Sequence, residues 1–329
     1  MCYRRSRGYP LQYILGDQPF GNLEILCRPG VLIPRFDRSA TPLCRVADLA
    51  HRSDTEAYAY QAAKLVVDQV AIPQEAQEGQ QGEERPDSLH GSKPLQILDL
   101  CTGTGCIALL VHTLLAPRFE RMRIIGIDIS PKALSLARQN LDYNLHRGLL
   151  GQRASTEIQF HRADVLGPGD DLTPNVEKIA SEYLDPAEES DGAPPRPRCD
   201  LLISNPPYIS TSDFRNGTTS RSVRLFEPKL ALVPPTNNCP SGDEHSRPED
   251  VFYTRILALS LKMQTKITVL ECGDIKQAER VVAIHTSMTT ENPDVFETEI
   301  WPSTEQDMSS HGFHPHQGSR CVIIQRRQN

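Results

Sequence analysis

Residues 96–108 read QILDLCTGTGCIA. The first five, Gln96–Leu100, form a short apolar run of the length expected for a buried strand. Gly103 and Gly105 then let the backbone turn tightly and approach a ligand closely. From Cys106 an apolar helix begins, and its N-terminus offers free N–H groups to a polar or anionic ligand. Asp128 closes the next strand-like run, 25 residues after Gly103. A carboxylate at that place can accept both hydroxyls of a ribose. Strand, turn, helix and acid together specify an adenosine-containing ligand. The Gly103-x-Gly105-x-x-Ala108 spacing suits NAD(P) as well, so the motif alone leaves the cofactor open.

Outward from this stretch, short apolar runs alternate with helical patterns. Strands are expected at Gln96–Leu100, Arg123–Asp128, Ile158–Asp164, Asp200–Ser204, Ile267–Glu271, Phe296–Trp301 and Cys321–Gln325. After the second, Ser130-Pro131 combines an N-cap with proline at the first helical position. Leu134, Ala137 and Leu141 then share one helical face. Residues 55–70 (TEAYAYQAAKLVVDQV) also read as a helix, and residues 11–34 as a short β-hairpin. The alternation predicts an α/β fold, a doubly wound seven-stranded and mostly parallel sheet preceded by that hairpin. The expected division is a hairpin lead-in at 1–40, a helix and flexible linker at 41–94, and the main domain at 95–329. Surface insertions are expected near 185–198 and 234–249, where proline and polar residues concentrate.

The chain has 329 residues, 38% of them hydrophobic, enough to bury a large core. Its 35 basic and 42 acidic side chains leave a net charge of −7. A net-acidic chain without a long basic block is poorly suited to gripping a nucleic-acid backbone through charge. No apolar run is long enough for a membrane-spanning helix. The nine cysteines include no Cys-x-x-Cys pair, so reduced and mostly buried thiols are expected rather than a zinc site or disulfides. His311, His314 and His316 have the spacing of ligands but sit in a Gly/Pro loop without a Cys or carboxylate nearby, which favours a solvated loop over a metal site. No metal is expected. Residues 1–8 (MCYRRSRG) carry three arginines and no acid, too short a stretch for an amphipathic presequence.

A second constellation lies at 200–208, DLLISNPPY. Asn205-Pro206-Pro207-Tyr208 follows the fourth strand, at the sheet edge where open α/β sheets bind ligands. Two consecutive prolines donate no N–H, so this backbone presents carbonyl oxygens only. The Asn205 side-chain carbonyl and the Pro206 carbonyl make a pair of acceptors suited to a planar –NH2 group, and Tyr208 is expected to bound the pocket with its ring.

A glycine loop, an acidic ribose ligand and Asn-Pro-Pro-Tyr after strand four resemble an S-adenosyl-L-methionine-dependent methyltransferase acting on a planar nitrogen, a class I, Rossmann-like fold. Pro10-Leu-Gln-Tyr13-Ile-Leu-Gly16, Phe20, Val31-Leu-Ile-Pro34-Arg35 and Glu227-Pro-Lys-Leu-Ala-Leu232 are similar to the HemK/PrmC family of release-factor glutamine N5-methyltransferases. The resemblance implies cofactor contacts from Asp99, Cys101, Thr102, Gly103, Thr104, Gly105, Asp128, Asp164 and Asn205, with Asp164 near the adenine. It implies a catalytic role for Asn205, Pro206 and Tyr208, and substrate contacts from these, Pro207 and Arg35. Its implied substrate is the glutamine of a Gly-Gly-Gln loop in a peptide chain release factor.

The sequence departs from the family in three ways. Cys101 stands where many members have their first glycine, which is tolerable if its φ is negative. After Pro34-Arg35 the family has an acid and then Thr-Glu, whereas Phe36-Asp37-Arg38-Ser39 keeps only the acid. The family's N-terminal helical lobe is expected to be largely missing. Three other readings are each opposed by a feature of the sequence. A DNA or RNA amino-methyltransferase is opposed by the net charge and the lack of a basic target-recognition module. A degenerate SAM-binding module is opposed by the intact Asn-Pro-Pro-Tyr and Asp128, and an NAD(P) oxidoreductase by the lack of a hydride-transfer constellation. The Pro/Glu/Gln-rich insertions and the spelling of the glycine loop resemble the eukaryotic organellar branch, which implies a mitochondrial rather than cytoplasmic location. No membrane and no direct nucleic-acid partner are expected.

Overall fold

All six residues of Leu95–Leu100 are buried, the environment a continuous apolar run needs at the centre of a parallel sheet covered on both faces. The computed structural model describes residues 2–34, 54–70, 93–167, 173–186, 196–235, 247–303 and 319–327. The linker at 73–92, most of both expected insertions, Arg35–Ser39 and His311–His316 lie outside the described residues.

The chain opens with α1 (Cys2–Ser6), α2 (Leu11–Leu15), β1 (Asp17–Phe20), β2 (Leu23–Leu26) and α3 (Asp54–Val70). The first half of the sheet follows as β3 (Leu95–Leu100), α4 (Cys106–Leu115), β4 (Met122–Asp128), α5 (Pro131–His146), α6 (Ala154–Glu157) and β5 (Ile158–Arg162). The second half contains α7 (Val176–Tyr183), β6 (Leu201–Ser204), α8 (Thr211–Asn216), α9 (Arg221–Phe226), α10 (Val251–Lys262) and β7 (Ile267–Cys272). It ends with α11 (Ile275–Met288), β8 (Phe296–Trp301) and β9 (Arg320–Arg326).

Strand order in the seven-stranded sheet is β5-β4-β3-β6-β7-β9-β8. All neighbours are parallel except β9, which runs antiparallel to both β7 and β8. The order therefore reverses direction between β3 and β6. That switch point opens a crevice at the carboxyl ends of these two strands. Alternate residues feed two cores. Ile97, Ile124, Leu201, Ile267 and Ile323 pack under α3, α4 and α5, while Leu98, Ile125, Leu202, Leu270 and Val322 pack under α7, α10 and α11. The central strands β3, β6 and β7 are buried on both faces, as the doubly wound arrangement demands. Helix α3 presents Ala57, Ala62, Ala63 and Val66 to its core, small side chains that let it lie close against its neighbours.

Two expectations need correction. Residues 11–34 are not hairpin throughout: Leu11–Leu15 is a short helix, β1 and β2 form the hairpin at 17–26, and the remainder is irregular. Pro10 stands at the helix start, where its missing N–H costs nothing, and Gly16 closes the helix in the left-handed conformation at φ 98°. A helix of five residues is too short to show its period in sequence. The third strand ends at Arg162 rather than Asp164, since the Asp164 amide leaves the ladder to donate to the Pro174 carbonyl at 3.1 Å.

Helix α5 starts as expected, with the Ser130 hydroxyl accepting from the Ala133 amide and Pro131 in the first turn. Its buried Asn140 and Asn144 act as substitute strand partners for the hairpin. Asn140 Oδ1 accepts from the Leu26 amide at 2.7 Å. Asn144 accepts from the Glu24 amide at 3.1 Å and donates to the Glu24 carbonyl at 2.9 Å. The hairpin is thereby held against the body of the fold, and the segment after it runs into the crevice.

Candidate active site

The loop after β3 is built from the bottom up by buried polar contacts. Asp99 is fully buried, and its Oδ2 accepts from the Thr102 hydroxyl at 2.5 Å. Burial pushes this carboxyl up to about 7, with the Thr102 hydroxyl and the Ala108 amide offsetting only part of the rise. The Thr102 amide donates to Ile127 at 2.9 Å, which ties the loop to β4. Gly103 and Gly105 take positive φ values of 58° and 78°. At Gly105 an added Cβ would lie 2.9 Å from the Phe160 ring, so both space and conformation demand glycine. At Gly103 it would meet nothing nearer than the Cys101 carbonyl at 3.9 Å, which leaves open room above the loop.

Cys101 does not meet the condition under which a non-glycine residue is tolerated without strain at its place. Its φ is +60°, in the left-handed region, rather than negative. The turn needs that conformation where relatives use glycine, and a non-glycine residue there costs about 1–2 kcal/mol. Burial drives its thiol well above the ordinary range, so it is an unreactive wall of the cleft.

Asp128 bridges the loop and the next helix. Its Oδ2 accepts from the Gly103 amide at 2.9 Å and its Oδ1 from the Ser130 amide at 2.8 Å. Burial raises its pKa, and the amides of Ser130, Gly103 and Ile129 work against the rise. Asp164 closes a small turn of its own, with Oδ1 accepting from the Leu166 amide at 2.9 Å.

One cleft at the switch point brings Cys101, Gly103, Asp128, Asp164, Asn205 and Pro207 together. Asp99, Thr102, Thr104, Gly105, Pro206 and Tyr208 are not among its lining residues: Asp99, Thr102 and Thr104 lie beneath the loop they support. Tyr208 does not wall the cleft with its ring. The ring packs on Gly273, and its hydroxyl donates to Glu271 Oε1 at 3.3 Å. Two of the stretches that carry the resemblance reach the cleft without having been given a role there, Val31 and Leu32 from beyond the hairpin and Leu230 from the segment after α9; Phe252, from α10, escaped sequence reading. The Ile33 amide donates to Glu227 at 3.2 Å, which joins the first of these to the Glu227–Leu232 stretch. A single apolar residue on a helix, such as Phe252, carries no spacing signal.

An acid-Thr-Glu triplet, the order the family has after Pro-Arg, occurs in this chain at Asp54-Thr55-Glu56, at the start of α3. Thr55, at the start of α3, reaches the Asn205 side chain: Asn205 Nδ2 donates to Thr55 Oγ1 at 3.2 Å. Thr55 in turn donates to Glu271 Oε2 at 2.7 Å. A search confined to the residues next to Arg35 could not find it.

The cleft lining holds two carboxylates and, among the described residues, no lysine or arginine. That set suits a cationic, hydroxyl-bearing adenosine compound. The residues therefore fit S-adenosyl-L-methionine.

Residues 92–165 match a methyltransferase domain family. A relative from Schizosaccharomyces pombe, named as a probable MRF1 mitochondrial N(5)-glutamine methyltransferase, is 33% identical over 329 residues, 99% of this chain and 78% of that protein. The chain belongs to the N(5)-glutamine methyltransferase family. It is also 31% identical to the mitochondrial MRF1 N(5)-glutamine methyltransferase of Saccharomyces cerevisiae and to a release factor glutamine methyltransferase of Chlorobaculum tepidum. These matches cover 70% and 71% of this chain, and the chain spans about half the length of those two relatives, 52% and 56%. Family membership makes the chain a methyltransferase. Among the described residues no helix is long and apolar enough to cross a membrane.

Proposed function

We propose that this chain transfers a methyl group from S-adenosyl-L-methionine to the side-chain amide nitrogen, N5, of the glutamine in a release factor's Gly-Gly-Gln loop. The observation that carries this is the convergence, in one cleft whose described lining residues include no lysine or arginine, of the positive-φ loop at 101–105, the Asp128 carboxylate and the Asn205 side chain. The bound cofactor would supply an already activated methyl group. Asp128 would hold the ribose hydroxyls, the loop at 101–105 would take the methionine part, and Asp164 with Val165 and Leu166 would hold the adenine.

Substrate binding is assigned to the other wall. An amide nitrogen is a poor nucleophile because its lone pair is delocalised into the carbonyl. Asn205 Oδ1 and the Pro206 carbonyl accept its two N–H bonds, aim the nitrogen and stabilise the positive charge that grows on it. Transfer would form the nitrogen–carbon bond as the methyl carbon–sulfur bond breaks, leaving S-adenosyl-L-homocysteine, and the nitrogen would then lose a proton to solvent. Arg35 remains a proposed substrate contact outside the described residues. The names of the yeast relatives support a mitochondrial location and a mitochondrial release factor as partner.

The test is to incubate the protein with methyl-labelled S-adenosyl-L-methionine and a mitochondrial release factor, its Gly-Gly-Gln→Gly-Gly-Ala variant, or duplex DNA. Mass spectrometry then locates the label. Label on the Gly-Gly-Gln glutamine alone is expected. Label on DNA, or on the Gly-Gly-Ala protein, would overturn the assignment.

A further inference from the structure

We infer that Thr55 is a positioning residue that fixes which end of the Asn205 carboxamide faces the substrate, with Glu271 setting its direction. The inference rests on the methyl-transfer reading above and adds to it the source of amide selectivity. The two ends of a carboxamide are nearly equal in size but opposite in hydrogen bonding. Only the oxygen end can accept from a substrate –NH2, and only a directional neighbour can hold it there.

The direction starts at Glu271, at the end of β7 and only 2% exposed. A carboxylate accepts and cannot donate. The Thr55 hydroxyl, itself 4% exposed, gives its single proton to Glu271 Oε2 at 2.7 Å. Having spent that proton, Thr55 can only accept from its other neighbour. Asn205 Nδ2 donates to it at 3.2 Å, which leaves Oδ1 as the end free to meet substrate. A reversed Asn205 would set oxygen against oxygen without a proton between them. Burial at Thr55 and Glu271 keeps water from relaying the bond the other way. The Tyr208 hydroxyl donates to Glu271 Oε1 at 3.3 Å, so both polar side chains of the Asn-Pro-Pro-Tyr segment lead back to one carboxylate.

This chain of bonds selects a glutamine amide, with two N–H donors, over a glutamate carboxylate, with none.

The experiment compares Thr55→Val, which keeps the shape and removes the hydroxyl, with Thr55→Ser, which keeps the hydroxyl. For each, kcat and KM on the release factor and the Kd for S-adenosyl-L-methionine are measured. Thr55→Val is expected to lower kcat about 10- to 100-fold, the scale of a misdirected reacting group, with cofactor Kd within about twofold. Thr55→Ser is expected to retain kcat within about threefold of the unsubstituted protein, since the hydrogen bonds survive. Equal impairment of both variants, an unchanged kcat in Thr55→Val, or cofactor affinity falling in step with kcat would overturn the inference. Failure of the unsubstituted protein to methylate the release factor would instead overturn the functional reading, and the inference with it.

Discussion

Asn140 Nδ2 donates to the Thr104 carbonyl at 2.9 Å, so a helix side chain grips the glycine loop from behind. Its Oδ1 meanwhile accepts from the Leu26 amide of the hairpin. One buried carboxamide thus joins the two segments that line the same cleft, the loop at 101–105 and the chain leaving β2. Asn140→Leu would leave the Leu26 N–H and the Thr104 carbonyl without that partner, at about 1–3 kcal/mol for each buried group. The expected result is a melting transition lowered by several degrees and weaker S-adenosyl-L-methionine binding, read by calorimetry. A lowered transition with unchanged cofactor affinity would show that the hairpin and the loop are not coupled through this residue.

At Cys101, two effects oppose one another. Relief of left-handed strain favours glycine by about 1–2 kcal/mol, but glycine forfeits the buried side chain and gains chain entropy when unfolded, about 0.5–1 kcal/mol for the latter. Cys101→Gly should therefore change stability by no more than about 1 kcal/mol. Cys101→Val puts a β-branched side chain at φ +60° and should cost at least about 2 kcal/mol. Denaturant titration of both variants measures this directly, and equal stabilities would contradict the strained conformation.

The buried Asp99 makes stability depend on pH with a definite sign. Its carboxyl is raised to about 7 from an ordinary value of 3.8. The folded state therefore holds a proton that the unfolded chain has lost between these values. Its contribution is fully present below about pH 4 and is lost as pH rises towards 7. Asp99→Asn removes that slope while keeping an acceptor for the Thr102 hydroxyl. The melting temperature of the variant, relative to the unsubstituted protein, should be more favourable at pH 8 than at pH 5. A pH-independent difference would contradict the assignment.

Much of this was legible from residues alone because the signals were local. The apolar runs mark the central strands to within a few residues, since strands buried on both faces admit little else. Ser130-Pro131 marks the start of α5 through its own capping chemistry. Cys101 was harder: the sequence shows a departure from glycine but not that the turn imposes a positive φ regardless. Thr55 and Glu271 were out of reach because their meaning comes from contacts across 150 residues to Asn205 and across 216 to one another. The short helix Leu11–Leu15 was hidden by its length.

Asp128 carries the cofactor half of the cleft. Asp128→Ala removes the acceptor for the ribose hydroxyls together with the bonds to the Gly103 and Ser130 amides. Charge-assisted hydrogen bonds of this kind are worth about 1.5–3 kcal/mol each, so cofactor Kd should rise by at least about tenfold. Equilibrium titration with S-adenosyl-L-methionine checks it, and an unchanged Kd would remove Asp128 from the cofactor site.

The division of the cleft into a cofactor wall and an amide-orienting wall is tested most directly at Asn205. The measurement is kcat on the release factor alongside calorimetric Kd for S-adenosyl-L-methionine, for Asn205→Ala against the unsubstituted protein. Loss of one preorganised acceptor at the reacting group should lower kcat by about 100-fold or more, with cofactor Kd held within about threefold. If turnover and cofactor affinity fell together, Asn205 would belong to the cofactor wall and the two halves would not be separate.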